Sequence, residues 1–503
     1  MLRRILIAAV ALVLLAVVGL FLLAQYALSP DSVRATLEQQ LSAHFGTPVH
    51  IQSARAAIFP RVALRLEGLT IGEPAEVTAD ELSIATGVRG LFSRRVENAE
   101  IVLSDGRLAL PAALALARPP TGTVAGDSDG SLIIASIRVI SLRNVQVVAG
   151  KAALTVDLES SLDGDRLEIS RLTAQSEKTQ LQATGAFTSL DNLQGAFDVT
   201  ADPLDLDELL AFASTATNTA SDGDGTRRRQ AAVPMQIALA VKSPAGRFAG
   251  YEFADLTTKA DVTTARVLLS DLSLAMFGGA FDGALTVDSS AATPRLQLRG
   301  QLAGIDVSQL ATHAGAAGSI TGQLGGTVTL TTRGTDAGAM LRDVRGNASA
   351  AILDGVIPHL DMVRTIVLAF GKPSGAPPEG SGSAFSRLAG DFTLGNGALR
   401  TDNLTMTSRD FDMVGRASVA IPGGALDADA QVILSEELTA QAGTDLRRYA
   451  QEDGRVILPA RIGGSINDPS VTLDLSAAAR RALENELKRK AKSFLEGLFK
   501  RKK

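Results

Sequence analysis

Residues 265–287 read ARVLLSDLSLAMFGGAFDGALTV, and residues 397–419, GALRTDNLTMTSRDFDMVGRASV, align on them without a gap. Leu272 falls on Leu404, Phe281 on Met413 and Gly283 on Gly415. Apolar residues alternate with polar ones, as in Leu272-x-Leu274, and a Gly, Ser or Asp cluster parts two such runs. Side chains of a strand point alternately to its two faces, so each copy reads as strand, turn, strand. A third copy, Asp165 to Phe187, keeps the Leu172 to Leu181 spacing and places its glycine two residues later. A unit recurring about every hundred residues or more points to a sheet extended by accretion.

The same period of two recurs in Val62-x-Leu64-x-Leu66, Ile101-x-Leu103, Leu154-x-Val156-x-Leu158, Ile237-x-Leu239-x-Val241 and Leu296-x-Leu298. These are strands apolar on one face. Gly, Asn, Asp and Ser between them favour tight turns, hence antiparallel meanders. The expected fold is mainly β with a few short helices. Its apolar face must be covered by folding into a sandwich or barrel, or lined up in a groove that needs a ligand. Period two does not choose between these. In a groove the lining would be Leu64, Leu66, Ile101, Leu103, Leu154, Val156, Leu158, Ile237, Leu239, Val241, Leu272, Leu274, Phe281, Leu296 and Leu298.

Helical periodicity is rarer. Ser29-Pro30-Asp31 offers a cap before Val33, Leu37, Leu41 and Phe45, which recur at four-residue spacing up to Gly46. Further short helices are expected at Asp205–Phe212, Val307–His313 and Pro358–Phe370, the last with an apolar stripe of Leu360, Val363, Ile366, Val367 and Phe370. That stripe reads as core or as a plug on the sheet. Three polar low-complexity stretches, Pro119–Gly130, Ser214–Arg229 and Gly371–Ser383, read as surface loops.

Composition narrows the function. Apolar residues make up 46% of the 503 and charged residues 20%, a balance that folds. A net charge of −5 leaves no general basic surface for nucleic acid. Aromatics at 4% with no Trp leave neither stacking platforms nor the girdles of a membrane barrel. The absence of Cys removes thiol catalysis, thiolate metal sites and disulfides.

The two ends differ from the rest. Arg3 and Arg4 precede Ile5–Ala27, an uncharged, mostly apolar run long enough to span a bilayer, expected as a signal-anchor with its N-terminus cytoplasmic. Everything after Leu28 would then be periplasmic. From Arg480 to Lys503 ten Lys or Arg stand against three Glu, a net of +7 that leaves −12 on the preceding residues. Leu483, Leu487, Phe494 and Leu498 share one helical side with Lys488, Arg489 and Lys490 as basic neighbours. The pattern suits a helix on an anionic membrane surface or against a partner, and equally a plain capping helix.

No catalytic constellation emerges. His44, His50, His313 and His359 are scattered, and no P-loop, dinucleotide fingerprint or nucleophile elbow occurs. The Asp222-Gly223-Asp224-Gly225 run lacks the acidic twelfth ligand of a calcium loop. The expectation is a non-enzyme without cofactor or metal.

Several longer stretches carry a resemblance. Leu41–Gly72, LSAHFGTPVHIQSARAAIFPRVALRLEGLTIG, and Leu91–Leu110, LFSRRVENAEIVLSDGRLAL, resemble the opening of the AsmA family. Asn347–Arg364, the following FSRLAGDFTLGNGALRTDNLTMTSRDFDMVGRASV, and Leu458–Leu475 with its Gly464 to Pro469 turn resemble that family's C-terminal region. The resemblance implies an inner-membrane-anchored periplasmic protein of Gram-negative bacteria, an elongated curled antiparallel β-groove, and a part in phospholipid movement and outer-membrane assembly. It brings no catalytic residue. The expected organisation is an anchor over 1–28, an N-terminal region over 29–118, a middle β-repeat region over 131–345, a C-terminal region over 346–475 and a basic helix over 476–503. Partners would be membrane phospholipid, the inner membrane and, through the tail, an anionic surface or outer-membrane proteins. A scaffold that adds partner strands to an open sheet edge is the rival reading.

Overall fold

A computed structural model describes residues 30–474, apart from gaps of one to three residues and the stretches 88–94, 110–132, 213–234 and 443–450. The expected membrane span, the basic tail and the stretches Pro119–Gly130 and Ser214–Arg229 lie outside the described residues. Among the described residues no helix is long and apolar enough to cross a membrane. The chain divides into two compact units, Met1–Ser270 and Asp271–Lys503.

The first unit opens with helix α1 (Pro30–Phe45) and continues through β1 (Val49–Ala57), β2 (Val62–Ile71), β3 (Val77–Thr86), β4 (Arg95–Val96), β5 (Ala99–Ala109), β6 (Ile133–Ile134) and β7 (Ser136–Ala149). There follow β8 (Ala152–Asp163), β9 (Arg166–Gln175), β10 (Gln180–Ser189), β11 (Gln194–Ala201), β12 (Leu204–Asp205), β13 (Gln236–Phe248) and β14 (Tyr251–Thr263). Strand β15 (Arg266–Met276) contains the division between the units.

Neighbours in sequence pair antiparallel from β1 to β5, leaving aside β4, from β7 to β11, and between β13 and β14. The expectation of a wholly antiparallel sheet needs correcting where β5 pairs with β7 and where β11 and β12 pair with β13, all in parallel, and β4 and β6 form a separate parallel pair. Parallel neighbours require a connection that carries the chain back to the starting end. The connecting residues 110–135 and 206–235 hold two of the polar low-complexity stretches and lie largely outside the described residues.

Helix α1 forms as its capping signal predicts. Leu37 and Leu41 pack with Val49, Ile51, Leu64, Leu66 and Ala79 in one buried cluster. The side chains of Val33 and Phe45 lie outside the described residues. The polar side of α1 covers the free edge of β1 at Val49 and Ile51. Ile51 N–H donates to Glu38 Oε1 at 2.8 Å, Val49 N–H donates to Ser42 Oγ at 2.9 Å, and Arg34 reaches the Ile51 carbonyl at 3.5 Å.

The second unit runs β16 (Gly279–Asp288), β17 (Arg295–Asp306), α2 (Val307–His313), β18 (Gln323–Arg333), α3 (Ala337–Asp343), β19 (Arg345–Ile357), α4 (Met362–Ala369) and β20 (Ser383–Gly395). It ends with β21 (Ala398–Thr407), β22 (Phe411–Ala420), β23 (Leu426–Leu434), α5 (Glu436–Gln441), β24 (Gln451–Glu452), β25 (Arg455–Gly464) and β26 (Pro469–Leu473). Pairing from β16 to β23, then β25 and β26, is antiparallel throughout. The three repeat copies fall on β9 and β10, β15 and β16, and β21 and β22, each a strand, a turn and a strand. The predicted turn at Gly464 to Pro469 joins β25 to β26.

Of the expected short helices, Val307–His313 forms as read, capped by Asp306, whose carboxylate accepts from the Ser308 and Gln309 N–H groups. Pro358–Phe370 narrows to Met362–Ala369, and the carboxylate of its N-cap Asp361 turns away from the helix to accept from Gly380 and Gly382 N–H at 2.7 and 2.8 Å. Asp205 belongs to β12, with its N–H bound to Thr179 Oγ1, so the helical segment there starts at residue 206.

Candidate functional site

Residues directly opposite on paired strands share one face of a sheet, so register shows which side chains line up. In the first unit one row runs across ten strands: Leu66, Leu82, Leu103, Leu142, Leu158, Leu172, Ala183, Val199, Val241 and Thr258. Beside it Leu64, Ile84, Ile101 and Ile140 form a second row. Val156 stands between Val145 and Ala174, Leu154 opposite Val147, Leu239 between Phe197 and Ala260, and Ile237 opposite Val262. All ten residues that the sequence placed in this unit's lining therefore share one face.

In the second unit Phe281 pairs with Leu302 and Leu298 with Leu285, while Leu296 stands opposite Val287, again on a single face. Leu272 and Leu274 alternate on β15, the first buried and the second half-buried. Leu82, Leu142, Leu172 and Val199 stand in the same row, and the lining expected from the sequence did not include them. Their signal was present in their own alternations, such as Ile140-x-Leu142 and Phe197-x-Val199.

Burial separates the covered parts of this face from the rest. Leu64 and Leu66 are 1% exposed beneath α1. Ile101, Leu103, Leu154, Val156, Leu158, Ile237, Leu239 and Val241 are only half-buried, as are Leu296 and Leu298. A second sheet packed on these rows would bury them fully, so among the described residues the first unit presents a band of aliphatic side chains that is not closed over. No charged side chain stands in the ten-strand row. Charges alternate onto the opposite face, where Arg65 meets Glu81 at 2.9 Å and Arg171 meets Glu159 at 2.7 Å.

Several charged groups of the second unit are likewise matched in pairs. A cleft of about 1180 Å³ crosses β21 to β26, lined among others by Asn403, Val414, Arg416, Asp429 and Arg461. Arg416 binds Asp429 at 2.8 Å and Arg461 binds Asp427 at 3.1 Å. The Arg416 hydrogen bond holds the Asp429 carboxyl below its usual range, and Asp429 in turn raises Arg416. Nothing in this arrangement pairs a nucleophile with a base or sets two carboxylates apart in role. Of the four histidines, His313 packs its ring on Phe277 at 5.4 Å. Among the described residues no group of three His, Asp or Glu is placed to hold a metal ion. The residues predicted on the basic tail, Leu483 to Leu498, lie outside the described residues.

Residues 208–404 match the model of the AsmA family. The match takes in the end of the first unit, β13 to β20 and part of β21, whereas the opening stretch Leu41–Gly72 lies outside it. No curated protein and no solved structure matches the chain.

Proposed function

From the premise that this chain belongs to the AsmA family, we propose that it handles phospholipid without chemistry of its own, receiving acyl chains along its apolar rows and supporting outer-membrane lipid homeostasis and assembly. The observation that carries the reading is the half-buried row from Leu103 through Leu158 and Leu172 to Val241. Exposed apolar area costs about 25 cal/mol per Å², so a charge-free row of this length is stabilised by an apolar ligand. An acyl chain lying across strands meets a side chain about every 4.8 Å, and aliphatic residues accommodate it with no directional demand. The expected signal-anchor would hold the protein at the inner membrane with its bulk in the periplasm, and the basic tail would meet anionic headgroups.

The rival scaffold reading needs a free strand edge. Glu38, Ser42 and Arg34 occupy the edge of β1 and weigh against strand addition there. Mass spectrometry of lipid retained by the purified protein, beside a Leu158→Asp/Leu239→Asp variant, tests the proposal. Near-stoichiometric phospholipid that is lost from a still-folded variant is the expected result. Protein that never retains lipid, from membranes or from added vesicles, would turn the assignment toward a protein-binding scaffold.

A further inference from the structure

The apolar row of the second unit changes character along its length. Ile305, Leu324, Ile352, Leu388, Met406, Met413, Val432 and Leu458 are successive register partners from β17 to β25. Leu324, Ile352 and Leu388 are half-buried, whereas Met406, Met413, Val432 and Leu458 are at most 4% exposed. The change coincides with two segments that join the same buried cluster, α5 with Leu438 and residues 358–382. Residues 358–382 leave β19, carry α4, and join with Met362, Ile366 and Val367 the buried cluster that holds these four side chains.

Three features mark this segment as an added cover rather than a necessary link. Strands β19 and β20 already pair up to Ile357 and Ser383, so a short turn would have connected them. The segment is knit chiefly to itself, through Asp361 to Gly380 and Gly382 and through Arg364 to the Pro377 carbonyl at 2.8 Å. Among the described residues its polar ties to the sheet and to α5 run through Ser383, to the Leu360 carbonyl and the Met362 N–H, and through Lys372 Nζ, to the Gln441 carbonyl at 2.6 Å. Gly382, at φ +67°, stands at the return into β20. The bed is rich in methionine: Met406 and Met413 share the buried cluster with Met362, three of the chain's seven. Unbranched thioether side chains repack readily around different apolar partners.

We infer that the bed of Met406, Met413, Val432 and Leu458 is a second acyl-chain site, continuous with the half-buried row, and that α4 covers it and swings clear to admit a chain. This rests on the lipid-handling reading and adds a covered site to it. Ile366 and Val367 fill the space that a ligand's methylene groups take when the cover opens. The site serves a single flexible hydrocarbon chain, because Leu324, Ile352 and Leu388 lead into it in one file.

The absence of Cys makes the test direct. In the full chain, Lys372→Cys and Gln441→Cys are joined by a short bismaleimide, which ties the segment to α5, itself bound to β25 through Thr439 and the Val456 N–H. A diazirine-bearing palmitate analogue is photolysed with the linked and unlinked forms, and labelled positions are read by peptide mass spectrometry. Labelling of Met406 and Met413 should fall by about tenfold on linking, as expected when a minor open state is removed, while labelling at Leu324 and Leu388 stays. Ser383→Ala, which frees Leu360 and Met362, should raise it. Equal labelling of Met406 in both forms, or labelling confined to the half-buried row in both, overturns the covered site. A fall at every position alike also overturns it, since linking would then act on the whole row. No labelling anywhere overturns the lipid reading itself.

Discussion

The side-chain amide of Asn144 donates to the Asp105 carboxylate at 2.7 Å, and both residues stand in left-handed backbone conformation, at φ 52° and 53°. They sit opposite each other at the parallel joint between β5 and β7, where Ser104 pairs with Arg143 and Gly106 with Val145. The Asn144 N–H is in turn accepted by Asp157 at 2.8 Å on β8. Left-handed positions suit Gly, Asn and Asp because a short polar side chain bonds locally. Asp271, in the Ser270-Asp271-Leu272 run of residues 265–287, is another such residue, at φ 50°. These irregularities locally increase strand twist while the apolar rows stay in register on either side.

Replacing Asn144 separates conformation from bonding. Asn144→Ala should destabilise the first unit by about 1–2 kcal/mol, combining left-handed strain with a lost hydrogen bond, and Asn144→Gly should recover much of this. Urea unfolding of the two variants gives the comparison. Equal losses in both would show that the amide bond matters and the backbone conformation does not.

Sealing of the β1 edge gives a second expectation. Glu38→Ala leaves the Ile51 N–H without its acceptor in a partly buried position, a loss of about 1–3 kcal/mol. It also opens a row of strand donors, so self-association should rise. Light scattering against concentration would detect it. A variant that is less stable and stays monomeric would limit Glu38 to a packing role.

Much of this was legible in the sequence, and the reasons differ by feature. Alternation such as Leu154-x-Val156-x-Leu158 carries the strand and its apolar face, since a strand's geometry is local. Register between strands is not local, and so the joining of Leu103 to Leu142 and Leu158 in one row could be seen only in the structure. The parallel joints were hidden because Pro119–Gly130 and Ser214–Arg229 read only as polar loops. Their length, which permits a return to the same end of the sheet, was the available signal. The stripe of Leu360, Ile366 and Val367 was visible, yet what it covers lies on strands up to a hundred residues away.

The repeated glycine illustrates a pattern that was readable without its cause. A Cβ on Gly283 would lie 2.2 Å from the Arg299 carbonyl, one on Gly415 2.3 Å from the Asp429 carbonyl, and one on Gly185 in the third copy 2.2 Å from the Ala196 carbonyl. Each copy thus brings its second strand against the next one closer than any side chain allows. Gly415→Ala should cost about 1–3 kcal/mol or more in thermal unfolding. Gly325→Ala, whose nearest contact at 3.6 Å is ordinary, should be tolerated. Similar losses at both positions would mean that strand entropy, and not the close approach, selects glycine.

Three carboxyls set the expected response to acid. Asp306 is lowered chiefly by the Ser308 hydroxyl and then by the N–H groups at the start of α2, Asp391 by Ser349 and Asn403, and Asp429 by Arg416. A group whose pKa is lower in the folded chain binds fewer protons there than when unfolded. Its contribution is complete above the unfolded value, about 3.9, and is lost as pH falls toward the folded value. Stability should therefore hold from neutral pH to about pH 5 and decline below about pH 4. Asp306→Asn keeps a good cap but has no charge to titrate, so its unfolding midpoint should start slightly lower at neutral pH and fall less steeply in acid. Carbon-13 titration of the Asp306 carboxyl gives the decisive reading. A midpoint at or above that of an ordinary aspartate would remove this residue from the acid response and leave Asp391 and Asp429 to account for it.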